Sequence, residues 1–165
     1  LCIFCFVGKV SGKKLRTRSV KNIIQEIESC IKDFNIKTFF FRADTFTWKK
    51  NWVKEFCEEL IKINLKIRWG TNSRVDTIDE ETVKMMKKAG CDVIGFGVES
   101  GNQEILDKMG KNITLENSRQ AVELCNKYGI HVDVATIEML IESAISQGIQ
   151  NAPKPDAPVV TPGVG

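Results

Sequence analysis

The sequence has few of the features that would assign it quickly to a familiar class of protein. Histidine occurs once, at His131, and no apolar run is long enough to span a bilayer. No basic segment followed by an apolar run indicates a secretion signal. The net charge of +3, from 24 basic and 21 acidic residues, is too small to indicate a nucleic-acid partner. These absences favour a globular protein with neither a membrane span nor a nucleic-acid surface.

Proline is absent before Pro153, and all four prolines lie between that residue and Pro162. Because proline fixes φ and removes a backbone donor, residues 151–165 are predicted to form a disordered tail or linker. The chain is 42% apolar and 27% charged, as is ordinary for a globular protein. Residues 1–150 are long enough for one domain with a sizeable core.

The six cysteines do not have the spacing of a disulfide framework, which is typical of small, loop-rich secreted domains. Cys30, Cys57 and Cys125 occupy apolar positions of strong helical patterns, where a free thiol behaves as a small hydrophobe. We therefore expect free thiols and a reducing cytoplasm.

Short apolar runs alternate with amphipathic helical patterns along the chain, at intervals of roughly thirty residues. The predicted strands are an N-terminal run ending near Gly8 and residues 36–41, 65–70, 92–98 and 130–135. The predicted helices begin at Ser19, Thr47, Asp79, Asn102, Thr114 and Thr136, the last running to about Gln147. Such alternation predicts right-handed crossovers and a parallel sheet of five strands in chain order, with helices on its outer face. Five units are too few for an eight-stranded barrel, so a partial barrel and an open sheet both remain possible.

The helical and strand periodicities also predict which large side chains form the core. The expected core residues are Ile23, Ile27, Phe40, Phe56, Leu60, Val83, Met86, Val98, Leu124 and Val132. Gly95 and Gly97 interrupt the fourth predicted strand, which indicates that another group approaches its backbone or that the strand bends.

Function in a parallel α/β sheet is concentrated in the loops at the carboxyl ends of the strands. Polar residues stand at four of these ends: Cys2 and Cys5, Arg42-Ala43-Asp44, Asn72-Ser73-Arg74, and Glu99-Ser100. Each set alone could be a helix cap or a turn. Their recurrence on one rim predicts a site for a polar ligand.

The motif Cys2-Ile3-Phe4-Cys5 is suited to a soft metal or a redox pair. A thioredoxin-type pair requires a helix N-terminus, and Phe6-Val7-Gly8 is not expected to start a helix. A zinc site would need two further ligands, for which His131 and Cys91 are the candidates. A non-catalytic α/β binding module is the alternative outside the enzymes.

Cys2-Ile3-Phe4-Cys5 resembles the last two cysteines of the Cys-x3-Cys-x2-Cys triplet of the radical S-adenosylmethionine superfamily. Two later stretches are similar to that family's third and fourth units over a likeness covering about residues 1–135. They are Thr71-Asn72-Ser73-Arg74-Val75-Asp76, followed by Ala89-Gly90-Cys91, and Ile94-Gly95-Phe96-Gly97-Val98-Glu99-Ser100-Gly101. The resemblance is closest to members that often carry an upstream cobalamin-binding domain.

The resemblance implies a partial TIM-type barrel of about five βα units and a [4Fe-4S] cluster held by Cys2, Cys5 and a third cysteine. It implies reductive cleavage of S-adenosylmethionine to a 5′-deoxyadenosyl radical, with an electron donor such as flavodoxin or ferredoxin. Cobalamin is possible in the parent protein.

The resemblance also implies roles for individual side chains, although it identifies no catalytic residue. Phe4 would lie near the adenine. Arg42-Ala43-Asp44 occupies the family's Gly-Gly-Glu position, and Asp44 would accept from the amino group. The ribose and carboxylate side would be lined by Asn72, Arg74, Glu99 and Ser100.

Two departures from the family pattern change the expectation for this chain. The first cysteine of the triplet is absent, and Thr136-Ile137-Glu138 replaces the family's Gly-Pro-containing turn. We expect the sequence to be a piece of a longer enzyme and the piece itself to be inactive. The substrate is not indicated, because the family's radical chemistry spans methylation, sulfur insertion and rearrangement.

Overall fold

Four parallel strands form one sheet in the computed structural model, which describes residues 5, 7–10, 12, 14 and 16–136. The strands are β1 (Thr38–Phe41), β2 (Arg68–Ser73), β3 (Cys91–Glu99) and β4 (His131–Thr136), and they lie side by side in chain order. The helices are α1 (Val7–Val10), α2 (Val20–Phe34), α3 (Lys50–Lys62), α4 (Glu80–Lys88), α5 (Gln103–Lys108) and α6 (Leu115–Lys127). Single 3₁₀ turns cover Phe46–Trp48 and Val75–Thr77.

The predicted parallel sheet and its strand order are therefore confirmed for the described strands. The predicted first strand falls mainly on residues 1–4 and 6, outside the described residues. Its expected end is wrong, because Val7–Val10 is helical and so a short helix does start just after Cys5. The predicted last helix lies outside the described residues from position 137 onward, and its first residue, Thr136, instead ends β4.

Helix ends follow the capping signals in the sequence at α2, α4 and α6. Ser19 accepts from the Asn22 N–H at 3.3 Å, and Asp79 accepts from the Thr82 N–H at 2.8 Å. Thr114 and Asn117 form a reciprocal capping box at the start of α6. These local hydrogen bonds fix where the helices begin, as the sequence predicted.

The prediction for the start of α3 is wrong. Thr47 lies in a 3₁₀ turn with its hydroxyl buried, and the helix begins at Lys50 without a side-chain cap on Lys49. The Thr47 hydroxyl instead pairs with Ser73, the last residue of β2, and with Thr77 in the turn beyond it, the latter at 2.6 Å. A tertiary contact therefore takes the hydroxyl that a helix cap would have used.

One face of the sheet, here called the helix-covered face, holds the core. Trp69 lies at its centre, 1% exposed, with its indole N–H donating to the Ala89 carbonyl at 2.8 Å. The Trp69 ring meets Phe56 of α3 edge to face, with centroids 5.6 Å apart. Six predicted core residues are buried here: Ile27, Phe56, Leu60, Val83, Met86 and Val98. Three more pack partly buried against them: Ile23, Leu124 and Val132.

The opposite face is called the open face, and its register is set by Phe40↔Gly70, Asn72↔Gly95 and Gly97↔Ala135. The core prediction for Phe40 is wrong, since this ring is 51% exposed. Strand alternation turns Phe39 and Phe41 toward the helices and therefore turns Phe40 away from them.

The third predicted strand is displaced toward the carboxyl end by three residues, to Arg68–Ser73. Two of its polar residues, Thr71 and Ser73, are buried, and the Thr71 hydroxyl donates to the Phe41 carbonyl at 2.9 Å. The apolar pattern could not predict that these residues are buried, because they are polar and hydrogen bonds satisfy their hydroxyl groups. No helix within the described residues has the length and apolar character needed to cross a bilayer.

Candidate functional site

The carboxyl ends of β1, β2 and β3 lie along one edge of the sheet because the strands are parallel neighbours. Arg42-Ala43-Asp44 follows β1, Asn72 and Ser73 end β2, and Glu99 ends β3. The topology therefore brings three of the four predicted residue sets to one rim. Cys2 and Phe4 lie outside the described residues.

Glu99 is held in an unusual conformation at the end of β3. Its backbone is left-handed, with φ 77°, which costs energy for a residue with a side chain. Its Oε1 accepts from the Lys111 ammonium at 2.6 Å, and the two side chains are only 13% and 10% exposed. The carboxylate is therefore fixed by a buried, charge-assisted hydrogen bond.

Two glycines of β3 make room for polar side chains on the open face. A Cβ on Gly97 would lie 2.6 Å from Glu99 Oε1, and one on Gly95 would lie 2.6 Å from Asn72 Oδ1. The carboxylate and the carboxamide thus lie flat against the strand at the positions where side chains are missing. The close approach predicted for this strand is confirmed, and the approaching groups are two of the predicted site residues.

Arg74 is bound by its own loop. Its guanidinium contacts the Asp76 carboxylate through two hydrogen bonds of 2.9 and 2.8 Å and donates to the Lys111 carbonyl at 3.2 Å. The side chain is 26% exposed, so part of it faces solvent. Arg74 and Glu99 are therefore both joined to Lys111, which lies on neither strand.

Ser100 is buried, and its hydroxyl accepts from the Asn102 N–H at 3.1 Å at the turn into α5. Asn102 in turn caps α5, because its Oδ1 accepts from the backbone N–H of Glu104 at 2.9 Å. Ser100 therefore contributes a hydrogen bond to the turn between β3 and α5.

A cleft of about 960 Å³ lies beside the end of β1. Arg42, Ala43 and Asp44 line it, together with Val7 and Gly8, which follow Cys5 closely in the chain. Its other walls carry aromatic side chains and the basic side chains of the segment before α2. The segment that follows the cysteine motif and the loop after β1 therefore share one cavity.

The described cysteines are all free and fall into two groups. Burial raises the pKa of Cys57 to about 12 and that of Cys125 to about 11, and it also raises the pKa of Cys91. Thiols of this kind resist ionisation and are poor metal ligands. Cys5 and Cys30, by contrast, are only partly buried.

The two residues considered for a zinc site with the N-terminal motif begin β3 and β4, at the amino edge of the sheet. Cys91 is fully buried there, whereas His131 is exposed. Among the described residues, no group of three or more histidine, cysteine, aspartate or glutamate side chains is placed to bind a metal.

The sequence did not point to Lys111 or to the hydroxyl cluster formed by Thr47, Ser73 and Thr77. A lysine in a polar loop gives no periodic signal, and serine and threonine are common in turns. Only contacts over long sequence distances distinguish these residues, such as the 2.6 Å contact between Thr47 and Thr77.

Comparison with known proteins identifies the family of the chain. The model of the radical SAM superfamily matches residues 1–142. An uncharacterized methyltransferase of Pyrococcus horikoshii is 36% identical over 130 residues, which cover 79% of this chain and 28% of that protein. The anaerobic magnesium-protoporphyrin IX monomethyl ester cyclase of Rubrivivax gelatinosus is 34% identical over 131 residues, 78% of this chain and 23% of that protein.

Among solved structures, the cobalamin-dependent S-adenosylmethionine radical enzyme OxsB with aqua-cobalamin and S-adenosylmethionine bound is similar. It superposes with a TM-score of 0.65 at 26% identity, over 74% of this chain and 20% of that chain. The sequence thus spans about a quarter of the length of the curated relatives it matches. The sheet and the family match together define an α/β protein of the radical-enzyme type. The chain belongs to the radical SAM superfamily.

Proposed function

We propose that this chain is the core segment of an enzyme that binds a [4Fe-4S] cluster and reductively cleaves S-adenosylmethionine. The cleft beside β1 carries the proposal, because it joins the segment after Cys5 to Arg42, Ala43 and Asp44. Residues 1–150 would form the partial barrel and residues 151–165 the tail. The family uses this cluster and this cofactor, and the cluster supplies the electron that splits the C5′–S bond into methionine and a 5′-deoxyadenosyl radical.

Cys2 and Cys5 are the proposed cluster ligands in this sequence. Cys5 is free and partly exposed, as Cys30 of α2 also is, whereas Cys57, Cys91 and Cys125 are buried; Cys5 alone of these belongs to the N-terminal motif. The family triplet needs one more thiolate, four positions before Cys2 and thus outside the sequence. The two thiolates present therefore fit part of the ligand set, and this chain by itself would hold a cluster weakly.

The strand-end side chains are proposed to bind S-adenosylmethionine. Asp44 is exposed at the end of β1 and would accept from the amino group. Asn72 and Glu99 lie on the open face and would accept from or donate to the ribose, with Arg74 and Ser100 nearby on their loops. Phe4 would contact the adenine.

The remaining partners are proposals about the parent enzyme. An electron donor such as flavodoxin or ferredoxin would supply the electron. Cobalamin is proposed because OxsB, a similar protein, is cobalamin-dependent. The free thiols suit a reducing cytoplasm. Methyl transfer is proposed as the outcome, since the relative from Pyrococcus horikoshii is named as an uncharacterized methyltransferase.

The test uses a form of the protein extended before Cys2 so that a cysteine stands four positions upstream. Anaerobic reconstitution with iron and sulfide should give a brown, oxygen-sensitive protein with iron–thiolate charge-transfer absorption. Cys5→Ala should abolish the colour, because it removes a ligand.

Cys57→Ala is the matched control. It removes a thiol that is buried on a helix and should leave the iron content unchanged. Equal iron in both variants, or an extended protein that binds only zinc, would contradict the proposal.

A further inference from the structure

The hydroxyl cluster of Thr47, Ser73 and Thr77 joins the two loops that follow β1 and β2. Thr47 lies in the first 3₁₀ turn, Ser73 ends β2, and Thr77 ends the second 3₁₀ turn. Thr47 and Ser73 are 0% and 4% exposed. The cluster is therefore a buried polar contact between loops whose members Thr47 and Thr77 are 30 positions apart in the chain.

The direction of each hydrogen bond in the cluster follows from the fact that a hydroxyl group has one proton to donate. The Thr77 hydroxyl donates to the Arg74 carbonyl at 2.9 Å, so it must accept in its 2.6 Å contact with Thr47. Thr47 has then used its proton and must accept from the Ser73 hydroxyl. The hydrogen bonds therefore run in one direction, from Ser73 through Thr47 and Thr77 to the backbone of Arg74.

The start of this chain of hydrogen bonds is also fixed to the backbone. The Ser73 oxygen accepts from the backbone N–H of Thr47 at 3.4 Å. The chain thus connects the backbone of the loop after β1 with the backbone of the loop after β2, and each of its hydroxyl groups both donates and accepts. Loss of one hydroxyl would leave a neighbouring buried group without its partner.

Arg74 is held at two points by these contacts. Thr77 holds its carbonyl, while its guanidinium donates to the Asp76 carboxylate at 2.9 and 2.8 Å and to the Lys111 carbonyl at 3.2 Å. The side chain remains 26% exposed, so solvent reaches part of it. A shift of Thr77 would move the backbone from which this partly exposed guanidinium extends.

Hydroxyl groups restrict the relative position of the two loops more than apolar groups would. Valine has the shape of threonine and needs no hydrogen-bond partner, so apolar residues would avoid the desolvation cost of burying hydroxyls. Apolar contacts, however, impose no direction, whereas a satisfied buried hydrogen-bond network favours one arrangement of its members.

We propose that Thr47, Ser73 and Thr77 are positioning residues that hold the loop after β2, and with it Arg74, in a fixed relation to the loop after β1 for ligand binding. This inference rests on the proposed binding of S-adenosylmethionine by residues of both loops. The three hydroxyl groups act through Arg74 and not by contact with the ligand.

A purely structural cluster would also be buried and fully hydrogen-bonded. Loss of a hydroxyl would then lower the free energy of unfolding and affect ligand binding only through the fraction of folded protein. Well below the unfolding temperature that fraction stays close to one, so the affinity of the folded protein separates the two roles.

The deciding experiment is anaerobic calorimetric titration of the extended protein and its cluster with S-adenosylhomocysteine. Thr77→Val keeps the shape of the side chain but removes the donor to Arg74, and it should weaken binding about three- to tenfold, the usual value of one hydrogen bond. Thr77→Ser loses a methyl group but keeps the hydroxyl, and it should bind as tightly as wild type. Unchanged affinity in Thr77→Val, or an equal loss in both variants, would overturn the inference.

A double-mutant cycle tests whether the effect passes through Arg74. In an Arg74→Met background, Thr77→Val should cause no further loss of affinity, because the guanidinium that it displaces is already absent. Fully additive losses would overturn the inference. If Thr77→Val does not fold, Thr47→Val and Thr47→Ser form the corresponding pair in both experiments.

The two proposals fail differently. A wild-type extended protein that does not bind S-adenosylhomocysteine contradicts the proposed function, and this inference with it. A wild-type protein that binds this probe, together with a folded Thr77→Val that binds it equally well, contradicts the role of the hydroxyl cluster alone.

Discussion

The helix-covered face and the open face of the sheet are built by alternate residues of the same strands, but they differ in what those residues are. On the helix-covered face the strands present Trp69, Ile94 and Phe96, each at most 1% exposed. On the open face β3 presents Gly95 and Gly97, against which the side chains of Asn72 and Glu99 lie. Large side chains on one face bury apolar area, whereas missing side chains on the other leave room for polar groups to lie against the backbone.

We therefore predict that stability depends mainly on the helix-covered face and, if the proposed function holds, that ligand binding depends on the open face. A change on the helix-covered face should lower the free energy of unfolding, because a cavity forms in a packed region. A change on the open face should alter the geometry of Asn72, Glu99 and Lys111 and leave the core intact. The following predictions test this division, beginning with the largest expected effect.

Trp69→Ala should destabilise the domain by about 3–5 kcal/mol, the usual cost of truncating a buried aromatic residue. It removes a ring in contact with Phe41 and Phe56, at centroid distances of 5.5 and 5.6 Å, and a hydrogen bond to the Ala89 carbonyl. Urea unfolding followed by circular dichroism would measure the change.

Phe40→Ala is the control on the other face of the neighbouring strand. Its ring is 51% exposed, and the expected loss is about 1 kcal/mol or less. If the two variants were equally destabilised, the two faces would not differ in their contribution to stability.

Gly97→Ala should lower ligand affinity as well as stability. The new methyl group would meet the ends of two partly buried side chains, Glu99 and Lys111, which must shift together, so the cost in stability should be about 1–3 kcal/mol. If the proposed function holds, the affinity of the extended protein for S-adenosylmethionine should fall about tenfold or more as the carboxylate is displaced.

Gly101→Ala is the matched control, since a Cβ at that position has no atom within 4 Å. It should retain affinity. Unchanged affinity in Gly97→Ala would show that ligand binding does not depend on the position of the Glu99 carboxylate.

The smallest expected effect is electrostatic and concerns Asp79, which lies in the helix layer. Asp79 caps α4 and pairs with Lys50 of α3. Partial burial acts to raise the pKa of Asp79, but hydrogen bonds from Lys50 and Thr82 and the charge of Lys50 outweigh it and hold the pKa at about 2. The folded pKa is therefore below the value of 3.8 for an unperturbed side chain.

A depressed pKa means that the ionised carboxylate stabilises the fold above about pH 4 and that this stability is lost as the pH falls toward 2. Asp79→Ala should cost about 1 kcal/mol at neutral pH, since the carboxylate is 40% exposed and solvent screens the ion pair. The difference from wild type should shrink between pH 4 and pH 2 in urea unfolding series.

Asp79→Asn keeps an acceptor for the Thr82 N–H but cannot ionise. Its difference from Asp79→Ala should therefore not change over the same pH range. A wild-type advantage that persisted at pH 2 would contradict the lowered pKa.

Local signals in the sequence were sufficient for much of the fold. Ser19, Asp79 and Thr114 satisfy backbone donors within three residues, so the helix starts they cap could be recognised without a tertiary structure. The alternation of strands and helices determined the parallel order, because a crossover helix returns the chain in the same direction. The family resemblance rested on contiguous motifs, which are also local.

The candidate site was only partly readable. The sequence identified the strand ends, since parallel strands bring them to one edge, and it flagged the glycines of β3 as places of close approach. It did not show that the approaching groups are Asn72 and Glu99. It placed Phe40 in the core, because an aromatic run does not reveal which of its alternate residues faces the helices.

Capping, crossover order and motif matching are therefore properties of the sequence itself, since each depends on residues near one another in the chain. The tertiary structure alone decided that the Thr47 hydroxyl pairs with Ser73 and Thr77 instead of capping a helix. It alone decided that Lys111 is buried against Glu99, twelve positions away. The physical reason is that a buried polar group must find a partner wherever the fold places one, and that partner is set by packing in space.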